Sequence, residues 1–294
     1  MKVDAKITVS ALPELRELAR TREQDGYDGL WSSESAHDPF LPLVPVAEHT
    51  DRIEVGTSIA VAFARNPMSM AYPAHDLQTY SRGRFILGLG SQVKPHIERR
   101  FGMPWGNPAP RMREYVLALR AIWASWDDGI PLDFRGDFYS HTLMTPFFSP
   151  EPNPWGPPQV HLAAVGNHMT EVAGEVCDGL HPHPFTTERY LRESTLPTLA
   201  RGLDKAGRDL AGFSISLYGL VASGRTEEEL AAAVEGVRRQ IAFYGSTPSY
   251  RPVLELHGWG ELGSELNRLS RTGRWDEMGE LIDDDVLNLS LIHI

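Results

Sequence analysis

A single cysteine, Cys177, stands in 294 residues, so no intrachain disulfide is possible. Such usage fits a reducing, cytoplasmic setting. Basic residues are also scarce: 28 Lys and Arg face 39 Asp and Glu, for a net charge of −11. A surface of that sign excludes general binding to nucleic acid, which needs cations against phosphates. No apolar run approaches the roughly 18 residues needed to span a bilayer. Nothing near Met1 joins a basic start to an apolar stretch, so no signal peptide is expected. HExxH, CxxC, GxSxG and GxGxxG are all absent, which removes the usual signs of a zincin, a thiol–metal site, a hydrolase elbow and a dinucleotide fingerprint. There is no repeat of fixed period and no low-complexity tract.

What is present is an ordinary globular composition, 41% hydrophobic and 23% charged. One large α/β barrel fits this length as well as two smaller domains. Short apolar runs alternate with helical patterns. Strands are expected at Lys6–Val9, Gly29–Ser32, Ile53–Ala60 and Arg84–Leu89, with helices at Leu12–Asp25, Val44–Thr50 and Met68–Tyr80 between them. Pro73 should disturb the last of these helices. After a strong helix at Arg111–Trp126 the rhythm breaks. Residues 129–158 are rich in proline, glycine and aromatics, and read as an insertion after the fourth βα unit with a small hairpin at Leu132–Tyr139. Strands at Gln159–Ala164, Gly179–His183 and Phe213–Ala222 then resume, with helices at Met169–Cys177 and Glu188–Ala206. Thr226 and Glu229 form a capping box that opens another helix. The alternation predicts a parallel sheet. Seven strands are legible and an eighth is not, so the last βα unit is expected to be missing; residues 1–289 read as one domain and residues 290–294 as a non-native tail.

Five segments carry a family likeness in order. Gly29-Leu30-Trp31-Ser32-Ser33-Glu34, Gly56-Thr57-Ser58-Ile59, Arg65-Asn66-Pro67, the run from Arg82 to Ser91, and Ala163-Ala164-Val165-Gly166 with Val176–Leu180 resemble the bacterial-luciferase-like superfamily. The likeness is closest to its branch of oxidoreductases that use the deazaflavin coenzyme F420. It implies an α/β fold, a (β/α)₈ TIM barrel, whose strand ends hold a tricyclic redox ring. It also implies a homodimer, paired through helices of the second and third βα units.

All candidate residues follow predicted strands, where the loops of such barrels carry the chemistry. The resemblance places Glu34 and His37 against the ring. Glu34 would hydrogen-bond its edge and His37 would relay a proton, although in relatives the histidine stands two positions earlier; both would otherwise belong to a solvated loop. Relatives carry a non-prolyl cis peptide that backs the ring, and Ser58–Ile59 is the matching bond. Gly90, Ser91 and Gln92 allow close backbone approach and offer hydrogen bonds. Val93 occupies the position where the sugar-phosphate dehydrogenase branch has a catalytic glutamate, which argues against that reaction. Val165, Gly166 and Asn167 open a helix whose free amides suit a phosphate, and His183 and Thr186 stand where relatives complete that pocket. Lys94, Arg99, Arg100, Arg111 and Arg113 form a local basic excess that could hold an anionic cofactor tail or simply be a solvated helix face. His181-Pro182-His183 invites a metal reading, but no metal is expected. Cys177 reads as core. Trp31, Phe63, Trp105 and aromatics of the insertion are candidate pocket walls. The expected activity is hydride transfer between F420 and a small organic substrate, with an FMN-dependent monooxygenase and a non-catalytic flavin-binding barrel as alternatives.

Overall fold

The computed structural model describes residues 1–8 and 11–290. Strand β1 (Asp4–Lys6) is followed by β2 (Gly29–Ser32), β3 (Glu54–Thr57), β4 (Ala60–Val61) and β5 (Phe85–Gly90). A hairpin of β6 (Phe134–Arg135) and β7 (Ser140–His141) interrupts the series, which continues with β8 (Gln159–Ala164), β9 (Gly179–Pro182) and β10 (Ser214–Ile215). The main sheet is parallel, ordered β1-β2-β3-β5-β8-β9-β10, with β4 also pairing to β5. Helices separate successive strands, so the sheet curls into a half-barrel of the TIM type. Among the described residues no strand joins β10 to β1; the ammonium of Lys6 bridges that gap by lying 5.9 Å from the Tyr218 ring centroid.

Several boundaries shift for physical reasons. The first strand lies N-terminal to its expected place at Lys6–Val9, and Val9 falls outside the described residues. The third expected strand is divided into β3 and β4, and the peptide Ser58–Ile59 between them is cis. The seventh shrinks to Ser214–Ile215, because β10 pairs on one side only, with β9, and its continuation leaves Leu217, Tyr218 and Val221 exposed. Pro73 does not break its helix, which runs unbroken from Pro67 to Tyr80. That helix starts firmly: Asn66 accepts a hydrogen bond from the Ser69 amide at 2.8 Å and Pro67 occupies the first turn. The expected hairpin of residues 129–158 forms two residues further along than Leu132–Tyr139, with Phe134 opposite His141. Glu114, on the helix Pro108–Asp127, holds its turn by accepting from the amides of Asp137, Phe138 and Tyr139.

The expected capping box forms in half, with the return bond going to the residue before the cap. Thr226 accepts from the Glu229 amide (3.1 Å), while the Glu229 carboxylate accepts from the Arg225 amide (2.7 Å), and the helix runs from Glu227 to Gly245. Such a cap contributes about 1 kcal/mol. Two apolar clusters result. The larger joins the sheet to its flanking helices; the smaller joins Phe185, Tyr190 and Leu220 to the C-terminal helices from Glu227 onward. Cys177 is fully buried in the larger cluster, and burial pushes its thiol up to about 12, as expected of a core residue. Asp178, beside it, closes a structural knot by accepting from Arg120 and from the Val160 amide (2.9 Å). Among the described residues no helix is long and apolar enough to cross a membrane.

Candidate active site

The interior of the half-barrel is built around three rings. Trp31 on β2, His161 on β8 and His181 on β9 all point inward, with centroids 5.1 Å (Trp31–His181), 5.2 Å (His161–His181) and 6.1 Å (Trp31–His161) apart. Glycines on neighbouring strands make room for them. A Cβ at Gly56 would collide with the Trp31 indole, and one at Gly179 with the His161 imidazole. Alternating large and small residues around the sheet is how a barrel interior fills without strain. The Nε1 of Trp31, both nitrogens of His161, the Nε2 of His181 and an oxygen of Asp4 are buried with no hydrogen-bond partner among the described residues. Burial, then the neighbouring His181, drives His161 down to about 3; burial drives His181 down to about 4. Both imidazoles are therefore neutral at physiological pH.

Next to these rings opens a cavity of about 1530 Å³. Most of the candidates named from the sequence meet there. Ser58 and Ile59 line one wall, and Gly90, Ser91 and Gln92 continue it. The close approach at Gly90 is real, since a Cβ there would stand 2.8 Å from the Ile59 side chain. Gln92 adopts a left-handed backbone (φ 59°), which turns the chain away from β5 toward Val93. Val165, Gly166 and Asn167 line the same cavity, and the helix Asn167–Val176 begins there without a side-chain cap, leaving its first amides available. His183 also lines it, stacked on Tyr250 at 4.2 Å and edge-on to Tyr244 at 4.7 Å. Its Nδ1 accepts from the Phe185 amide (3.0 Å), so the neutral ring carries its proton on Nε2. Burial lowers His183 to about 4, which makes it a neutral donor and not a cation.

Three candidates lie outside that lining. Glu34 is turned toward Val61 and Arg65, with its side chain only 6% exposed. His37 is exposed on the loop after β2. The Thr186 amide donates to Pro184 O, and the Thr186 hydroxyl is buried without a partner among the described residues. The basic excess does not form a groove. Arg111 is buried, donating to Tyr139 Oη (2.8 Å) and Pro104 O (2.7 Å) with its guanidinium 4.2 Å from the Phe63 centroid. Arg113 pairs with Glu175 and Arg100 donates to Ser35 O, so only Lys94 of the five reaches the cavity. The helix Pro108–Asp127 turns residues 111 and 113 to different neighbours, and a run of charges in sequence is thereby dispersed in space. Of the aromatic walls expected, Trp31 and Trp105 line the cavity, whereas Phe63 lies behind Trp105 at 5.9 Å.

Tyr244, Tyr250 and His161 line the cavity without having been singled out from the sequence. The two tyrosines belong to the C-terminal helical segment, where no local motif marks them. His161 shows no signal beyond being a lone histidine in an apolar run.

The family described as luciferase-like monooxygenase matches residues 2–293. The chain belongs to this family. The luciferase-like chain is 57% identical over 287 residues to an uncharacterized protein of Mycobacterium tuberculosis, a match covering 98% of this chain and 84% of that one. It is 27% identical over 293 residues to a putative coenzyme F420-dependent oxidoreductase of the same species, covering 94% of this chain and 82% of the relative. Among solved structures, the coenzyme F420-dependent tetrahydromethanopterin reductase of Methanopyrus kandleri superposes with a TM-score of 0.77 at 19% identity, covering 97% of this chain and 84% of that one. At that identity the likeness shows the luciferase-like barrel fold.

Proposed function

We propose that this luciferase-like chain is an oxidoreductase that passes a hydride between coenzyme F420 and a small organic substrate. What supports the reading is the convergence of the Ser58–Ile59 wall, Gly90 and an uncapped helix N-terminus on one cavity large enough for a cofactor together with a small substrate. These residues fit a flat ring bearing a phosphate. Ile59 and Gly90 would give it a smooth face. The amides at Gly166 and Asn167 would hold the phosphate without a cationic side chain.

When bound, the deazaflavin supplies the hydride chemistry, and the protein positions it. The chain's own part is threefold. Ser91 and Gln92 offer polar contacts at the cavity edge. Neutral His183 offers an Nε2–H to an oxygen without adding charge, in the manner of a neutral imidazole that polarises a carbonyl. Trp31 and Trp105 exclude water from the reacting face.

The test is a fluorescence titration of purified protein with F420 and with FMN, followed by anaerobic mixing with reduced F420 and a panel of aldehydes, ketones and imines. Tighter binding of F420, by at least tenfold, with turnover of one carbonyl class is the expected result. The family's own description supports a second reading, a monooxygenase, for which FMN would be the cofactor. Preference for FMN with oxygen-dependent turnover would replace the first reading by this one. Binding without turnover on any substrate would favour a flavin-carrying barrel.

A further inference from the structure

Glu34 sits beside the cavity but does not line it, and its surroundings indicate why. Ser58 and Ile59 form one wall, and Ala60 and Val61 continue the same strip behind it. The turn after β2 holds this strip at successive points: the Ser58 amide donates to Ser32 O (2.6 Å), Ser33 Oγ to Ser58 O (2.8 Å), and the Glu34 amide to Ile59 O (3.1 Å). The Glu34 carboxylate supplies the last hold. Its Oε2 accepts from the Val61 amide (2.7 Å) and from Arg65 Nη1 (2.7 Å). Arg65 Nη1 also reaches Val61 O (3.4 Å), and its Nη2 reaches Asp38 (3.4 Å). Burial works against the charge of Arg65, yet the bond to Glu34 and the nearby carboxylates leave it held more firmly protonated than usual.

A buried carboxylate is tolerated only where donors satisfy it. Here both donors belong to the wall's own continuation. We propose that Glu34 is a positioning residue: with Arg65 it clamps Ser58–Val61, and so sets the surface against which the redox ring lies. The identity of that ring rests on the function proposed above; the clamp is a property of the chain alone. It follows that Glu34 and Arg65 act as one unit, so that losing either removes the same hold.

The test compares wild type, Glu34→Gln, Arg65→Met and the double variant. Amide exchange of the peptide spanning residues 58–61 is read without ligand, the affinity for F420 by fluorescence, and overall stability by urea. Each single variant should speed exchange in that peptide and weaken F420 binding by about tenfold or more. The double variant should be within about twofold of the worse single one, the non-additivity expected of one unit. A merely structural role would move the urea midpoint and leave the affinity of folded protein unchanged. Loss of affinity in Glu34→Gln but not in Arg65→Met would overturn the clamp in favour of direct contact with the ring, and additive losses would overturn it as well. Should Arg65→Met fail to fold, Arg65→Lys takes its place, with a smaller shift in the same direction expected and none overturning the proposal. If the wild type binds neither F420 nor FMN, the proposed function fails, while the exchange data still decide the clamp.

Discussion

Acid should destabilise this protein chiefly through three buried histidines: His183, lowered to about 4, and the neighbouring pair His161 and His181. His161 and His181 lie at about 3 and about 4 in the folded chain, against 6.5 for a free imidazole. Around them stand Trp31 and each other; Lys2 adds repulsion at His161, and the Ser216 carbonyl lies 3.4 Å from His181 Nδ1. Because the folded values are depressed, the unfolded chain binds the protons first, and stability falls as pH drops below 6.5. At pH 5 both rings remain neutral in the folded state while the unfolded ones are almost fully charged. Each ring therefore loses about 2 kcal/mol between pH 7.5 and pH 5, or about 4 kcal/mol for the pair. That is a large share of the roughly 5–15 kcal/mol by which domains are stable. Urea unfolding at pH 7.5, 6.5, 5.5 and 5.0 measures it directly, with the m value confirming that the same transition is followed. His161→Asn and His181→Asn remove one titrating group each and should flatten the pH dependence by about 2 kcal/mol apiece, whatever they do to stability at pH 7.5. If both variants keep the full wild-type slope between pH 7 and pH 5, the assignment of acid sensitivity to this pair is wrong.

Two further outcomes follow from packing. Gly56→Ala puts a methyl group into the Trp31 indole and should lower stability by about 1–3 kcal/mol in urea, since the interior has no slack there; an unchanged midpoint would mean that Trp31 moves freely. Glu114→Ala removes the acceptor of three amides in the hairpin turn, and limited proteolysis should then cut within residues 129–158 at least several-fold faster while the barrel remains intact.

The fold was well marked in the chain because its strands are short, apolar and set between helical patterns with clear caps. Asn66-Pro67 and Thr226-Glu229 start helices through interactions only three or four residues long, and such signals survive in any context. Pro73 misled because one missing backbone bond in a helix buried along Met70, Ala71, Ala74 and Leu77 is outweighed by the packing of that face. The cavity was legible only in part. Ser58, Ile59 and Gly166 follow a strand and Gly90 ends one, and a parallel sheet brings every such position to one end. Tyr244 and Tyr250 arrive from a different apolar cluster, and nothing local to them records that meeting.

The order of short strands and helices, the absence of disulfides and the collection of strand-end residues at one rim were properties of the amino-acid string, since they depend on spacing and local preference. Only the folded chain decided which charges remain free. Arg111 and Arg113, two residues apart, go to Tyr139 and to Glu175, and Glu34 turns from the cavity to Arg65. Partners separated by 28, 62 and 31 positions are chosen by packing, and a charge acts on whatever the fold sets beside it.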